Sequence, residues 1–201
     1  MKLLAYEVDK RSFLGIFNED ETWAYPISAA GMEYRSMKDL IREAGPSEME
    51  MLDYISKKAP GDVTGAAPVE EIKIVSPIPE PDQDIICLGI NYMDHAAESA
   101  RFQKEEFARP EKAIYFSKRV NRTNDPDGII PAHKNLTNQL DYEAELAVII
   151  KKDAKDVKPE EVKDYIFGYT IMNDVSAREV QTEHKQWYFG KSLDGFTPLG
   201  P

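Results

Sequence analysis

Glu143 and Glu145 open one short apolar run, and Asp174 follows a second run some thirty positions later. In a strand, successive side chains point to opposite faces, so Glu143 and Glu145 emerge on the same side, while Ala144, Leu146, Val148 and Ile150 line the other. The two carboxylates then stand about 7 Å apart. Like charges at that spacing repel unless they are solvated, protonated or bound to a cation. A strand with a wet outer face yields the same Glu-x-Glu pattern by default. What adds weight is Asp174, placed at the C-terminal end of the run Tyr169–Asn173, where a third carboxylate can converge. Oxygen donors with no nearby thiol select a hard cation, Mg²⁺, Mn²⁺ or Ca²⁺. Asp174 also has an alternative reading as a helix N-cap, because a helix-compatible stretch follows it.

The elements that must position these groups can be read from pattern. Leu3–Val8, Phe13–Asn18 and Thr22–Ile27 read as short strands in a meander, with a turn over Asn18–Glu21. Ser36 followed by Asp39, and Ser47 followed by Glu50, each fit a capping Ser with an acid three residues on, and each opens a short helix. Pro68, Pro77, Pro79 and Pro81 make residues 66–84 an extended connection, so a boundary is expected near residue 70. A small α+β region over 1–70 and a larger, strand-rich region over 71–201 follow. In the second region Ile85–Ile90, Ala113–Ser117, Glu143–Lys151 and Gly168–Asn173 read as strands. Pro159–Tyr165 reads as a short helix, and Asp174–Trp187 is helix-compatible. Strands dominate, and the fold class is α+β with a mostly β core.

Among the 201 residues, 36 are Asp or Glu and 25 are Lys or Arg, for a net charge of −11. That balance disfavours nucleic acid and anionic membranes as partners and suits bound cations. Cys87 is the single cysteine, which rules out an intrachain disulfide and fits a reducing cytoplasm. The N-terminal apolar run is broken by Glu7 and Asp9, too soon for a signal segment, and no later run approaches membrane-spanning length.

The segments LGINYMDHAAE (88–98), LDYEAELAVII (140–150), GYTIMNDVSAREVQ (168–181) and QWYFGKSLDGFTPLGP (186–201) resemble the fumarylacetoacetate hydrolase family, in particular bacterial members with a small N-terminal domain. The resemblance implies a mixed β-sandwich roll, a homodimer and one Mg²⁺ or Mn²⁺ per site, held by Glu143, Glu145 and Asp174. It assigns His95 and Glu98 to a catalytic dyad and Lys191 to the site. Lys118, Arg178 and Gln181 match positions lining the substrate pocket. Some of these roles have a physical basis of their own. His95 and Glu98 are three apart, within one helical turn, so the carboxylate can orient the imidazole and raise its basicity. Arg178 lies one turn after Asp174 and can pair with it or reach an anionic substrate. His133 and His184 have no such support and read as structural or surface residues, and Trp187 and Tyr188 read as core.

The implied reaction is hydrolysis of a C–C bond in a 2,4-dioxo acid of acylpyruvate or fumarylpyruvate type. Water activated by His95 and Glu98 would attack, and an enolate would leave. The same enolate chemistry serves oxaloacetate decarboxylation and the isomerisation or hydration of unsaturated 2-oxo acids, which stand as alternatives. A non-catalytic, metal-stabilised binding protein or inactive fragment is the alternative of another class. Family members continue past the Pro-Leu-Gly-Pro segment for several strands, so the catalytic region is expected to be incomplete at its C-terminus.

Overall fold

The computed structural model describes residues 1–91 and 112–201. Its N-terminal part is one antiparallel sheet in the order β4-β3-β2-β1-β5, built from β1 (Leu3–Val8), β2 (Arg11–Phe17), β3 (Trp23–Pro26), β4 (Ala67–Pro68) and β5 (Lys73–Val75). Alternation sorts its side chains. Leu4, Tyr6, Phe17 and Ala24 form one cluster. Ile16, Tyr25 and Ile27 form another with Leu40, Ile41, Leu52 and Ile55 of α1 (Met37–Glu43) and α2 (Pro46–Ser56). β5 pairs with β1 beyond the boundary expected near residue 70, so this sheet draws in part of the connection.

Ser36 caps α1 as expected, its Oγ accepting from the Asp39 N–H at 3.1 Å. The second helix starts earlier than its Ser47 pattern suggested. Pro46 occupies the first turn, where its fixed φ suits a helix, and the Gly45 N–H donates to Glu48 Oε2 at 2.9 Å.

The C-terminal part is made of paired strands. β6 (Ile85–Gly89) runs antiparallel to β7 (Ile114–Lys118), β9 (Ala144–Ile150) to β10 (Ile166–Asn173), and the two-residue β8 (Leu140–Asp141) to β11 (Ser176–Ala177). Two short helices follow, α3 (Arg178–His184) and α4 (Trp187–Lys191). The stretch expected to be a helix at residues 159–165 is a 3-10 segment, Pro159–Asp164. Val175, Ala177, Val180 and Phe196 form the local core. Trp187 packs edge-on against Phe116, whereas Tyr188, expected in the core, is exposed. His184 is exposed and lies against Phe189, and the His133 ring nitrogen Nε2 meets the Asp194 carbonyl.

The result is the expected α+β, mostly β architecture with a curled sheet. Among the described residues no helix is long and apolar enough to cross a membrane.

The two parts are joined by polar contacts. Lys73 Nζ lies 2.7 Å from Asp125 Oδ2, and the Ser76 N–H donates to Asp125 Oδ1 at 3.0 Å. Lys38 donates to Asp82 at 2.9 Å, and Arg42 pairs with the same carboxylate. The face of β9 and β10 carrying Leu146, Val148, Ile150, Tyr169 and Ile171 is exposed, as are Ile86, Leu88 and Tyr115 on β6 and β7.

Candidate active site

Four chain segments meet at one buried charge cluster. β7 delivers Lys118 at its last residue. The turn into β9 delivers Glu143, the link from β10 to β11 delivers Asp174, and α4 delivers Lys191 at its last residue. Lys118 Nζ donates to Asp174 Oδ1 at 2.7 Å and to the Val175 carbonyl at 3.1 Å, with its side chain fully buried. Lys191 Nζ reaches Asp174 Oδ2 at 2.7 Å, Glu143 Oε2 at 2.8 Å and Ser176 Oγ at 2.9 Å. Both oxygens of Asp174 are therefore held by ammonium groups. The rings of Phe116 and Phe196 lie 5.2 Å and 5.9 Å from Lys191 and Lys118, which keeps the cluster away from water and strengthens its charge interactions.

Local backbone pairing sets this geometry. The Asp174 N–H donates to the Glu143 carbonyl at 2.8 Å, and the Glu143 N–H donates to Asn173 Oδ1 at 3.1 Å, so the ends of β9 and β10 are locked together at the two acids. Asp174 is not a helix N-cap. β11 intervenes, α3 begins only at Arg178, and Ala177 occupies the cap position.

Glu145 lies on the same, partly buried side of β9 as Glu143. Burial and then the charge of Glu143 push its carboxyl pKa up, against a hydrogen bond from the Asn91 side chain. Burial likewise lowers the Lys118 pKa, opposed by Asp174. Beside them the Cys87 thiol is pushed up to about 12 by burial, so it stays a neutral thiol and offers no nucleophile at neutral pH.

Arg178 and Gln181 sit at the rim. Arg178 contacts Asp141 through Nε and Nη2 at 2.9 and 2.7 Å, Glu143 Oε1 through Nη2 at 2.7 Å, and Gln181 Oε1 through Nη1 at 3.1 Å. His95 and Glu98 lie outside the described residues.

Two members of the network, Asp141 and Ser176, carry no role in the sequence reading. Ser176, fully buried, accepts from Lys191 while its hydroxyl lies 3.2 Å from Glu143 Oε1 and 3.1 Å from the Asp174 carbonyl. The available signal was the strand period: Asp141 precedes Glu143 by two, and Ser176 follows Asp174 by two.

The three carboxylates fit a hard divalent cation in donor chemistry, and the neighbouring Cys87, held as a neutral thiol, is no competing ligand. Among the described residues no three acidic, imidazole or thiol side chains converge at metal-ligand distance, and Glu143 and Asp174 share the Lys191 ammonium.

A sequence model of the family described as fumarylacetoacetate hydrolase, C-terminal, matches residues 84–201. The chain is 42% identical over 146 residues to oxaloacetate tautomerase YisK of Bacillus subtilis, covering 72% of this chain and 47% of that protein. It superposes over its whole length on a fumarylacetoacetate hydrolase from Exiguobacterium antarcticum, with a TM-score of 0.76, 32% identity and 65% of that chain covered. A 5-carboxymethyl-2-hydroxymuconate delta-isomerase from Mycobacterium smegmatis gives a TM-score of 0.66 at 25% identity, with all of this chain and 65% of that one covered. This chain thus spans about half to two thirds of the length of these relatives. The match over residues 84–201 includes every charged residue of the buried cluster, and the chain belongs to the fumarylacetoacetate hydrolase family.

Proposed function

We propose that this chain carries an active site that takes a small 2-oxo acid through its enolate, with a divalent cation held by Glu143, Glu145 and Asp174. The carrying observation is the burial of Lys118, Lys191, Glu143 and Asp174 in one hydrogen-bonded cluster. Burying such charges costs several kcal/mol per ion unless they are paired. A chain that served only to fold would do as well with apolar residues there.

Mg²⁺ or Mn²⁺, when bound, supplies Lewis-acid polarisation of the 2-oxo group. Lys191 places a positive charge where an enolate oxygen gains its negative charge. Lys118 holds Asp174 in orientation from beneath. His95, with Glu98 three residues on, would take the proton that must leave, from substrate carbon or from water. The aromatic wall of Phe116 and Phe196 limits water at the cluster and so protects the enolate from stray protonation.

Interconversion of the keto and enol forms of oxaloacetate is the first reading, supported by the 42% identity to the tautomerase. It needs proton transfer alone. Hydrolysis of a 2,4-dioxo acid is the second, supported by the 32% identity to a fumarylacetoacetate hydrolase. We place the protein in the cytoplasm, where Cys87 stays reduced, and as a homodimer, with the exposed apolar faces of its strand pairs available to a second copy.

The test follows the enol absorbance of oxaloacetate and of acetylpyruvate with this chain, with Mn²⁺ and then with excess chelator. Chelator-sensitive decay of the oxaloacetate enol without release of pyruvate supports the tautomerase. Release of pyruvate and acetate from acetylpyruvate moves the assignment to the hydrolase. Neither activity, with cation present, refutes the enolate reading.

A further inference from the structure

We infer that Asp141 is a positioning residue, acting through Arg178 to orient Glu143. The inference rests on the cation-site reading above. Its basis is the way Arg178 spends its hydrogen-bonding groups. Asp141 Oδ2 takes Nε at 2.9 Å and Nη2 at 2.7 Å, Glu143 Oε1 lies 2.7 Å from Nη2, and Gln181 Oε1 accepts from Nη1 at 3.1 Å. A guanidinium has five N–H donors in a rigid fork, and a carboxylate substrate needs two of them side by side. The Nε–Nη2 edge, which offers such a pair, is occupied by Asp141.

The backbone is arranged to hold this contact. β8 and β11 pair over two residues only, Ser176 with Asp141 and Ala177 with Leu140, and the Arg178 N–H then donates to the Gln139 carbonyl at 2.9 Å. This short ladder places Asp141 beside the first residue of α3. Glu143, two residues after Asp141, presents its Oε1 to Arg178 and Ser176 and its Oε2 to Lys191. A carboxylate gripped on one oxygen from the rim and on the other from the core has one orientation. Without the rim contact, Oε1 would keep only the 3.2 Å contact from Ser176 while Lys191 still held Oε2, so the carboxylate would be less tightly oriented.

Asp141 and Arg178 are each more than a third exposed. An ion pair of that exposure contributes little to stability. Its effect belongs in the alignment of the ligand it touches, and the readout is cation affinity.

The experiment measures Mn²⁺ binding to the 201-residue chain by the electron paramagnetic resonance of free Mn²⁺. Asp141→Asn and Arg178→Lys are each compared with wild type, alongside the KM and kcat for oxaloacetate tautomerisation at saturating Mn²⁺. Asp141→Asn is expected to weaken Mn²⁺ binding by about 10–100-fold, the usual effect of removing a group that orients a ligand. Raising Mn²⁺ should restore kcat with KM unchanged, which a general loss of structure would not allow. The double variant should bind Mn²⁺ no more weakly than the weaker single variant, as expected for two groups acting as one unit. Asp141→Glu, which keeps the carboxylate, should retain affinity closer to wild type and serves if the Asn variant folds poorly. Wild-type Mn²⁺ affinity in Asp141→Asn, or a raised KM at saturating Mn²⁺, overturns the inference and makes Arg178 a substrate group. Absence of Mn²⁺ binding in the wild type overturns the cation-site reading itself, and this inference with it.

Discussion

Replacing Lys118 with Met tests whether the buried cluster is held by charge pairing. The side chain of Lys118 is fully buried and that of Asp174 is 4% exposed, with 2.7 Å between Nζ and Oδ1. Removing one partner of such a pair costs about 3–5 kcal/mol, because the other charge remains buried and uncompensated. Two features place this case at the lower end. Lys191 stays on the second oxygen of Asp174 at 2.7 Å, and burial already opposes the charge on Lys118, so its removal recovers a desolvation cost. The expected loss is about 3 kcal/mol. On a chain of this length that corresponds to a drop in Tm of roughly 6–12 °C. Thermal and urea denaturation followed by circular dichroism measure it. Lys118→Met combined with Asp174→Asn should be less destabilised than Lys118→Met alone, because the carboxylate that has lost one of its two ammonium partners is gone. A single variant within about 0.5 kcal/mol of wild type, as expected of an ordinary surface site, would refute the reasoning.

Glu143→Gln should weaken Mn²⁺ binding while leaving the fold intact by circular dichroism, and unchanged affinity would remove Glu143 from the proposed ligand set. Asp125→Ala should lower stability at neutral pH. Burial opposes the charge of Asp125, but Lys73 and the Ser76 N–H outweigh it and hold the pKa below its ordinary 3.8. That stabilisation is present above pH 3.8 and is lost as the pH falls through the lower folded value, so the difference from wild type should close there. A difference that stays constant through that window in pH-dependent denaturation would count against the pairing. A Cβ on Gly190 would meet Gln181 Cγ at 2.6 Å and the Ala177 carbonyl oxygen at 2.9 Å, so Gly190→Ala should cost about 1–3 kcal/mol. It should also shift Lys191 next to it, with a fall in turnover, and normal denaturation would show that α3 and α4 separate freely. Ile171 is 63% exposed on the apolar face of β10, and if that face forms the proposed dimer, Ile171→Lys should shift sedimentation toward the monomer. An unaltered sedimentation coefficient would exclude that face from the proposed dimer contact.

The strand alternation that places Glu143 and Glu145 on one side was legible from the sequence, because a period of two needs only local backbone geometry. The Ser36 cap was legible for the same reason, since its partner Asp39 is three residues away. The second helix start was misread because two local signals competed there, and Pro46 with Gly45 outweighed Ser47. Family motifs pointed to Lys118, Arg178, Gln181 and Lys191, but not to what they touch. Lys118 could as well have been a solvated lysine as the fully buried partner of Asp174, since those two residues are 56 positions apart. The same holds for Asp141 and Arg178, 37 positions apart and joined by a two-residue ladder too short to leave a periodic trace. Residue type and local period determine which side chains can face one way. Which charges then become partners depends on long-range strand pairing and on the desolvation that follows when the segments close over them, and that was decided by the tertiary structure alone.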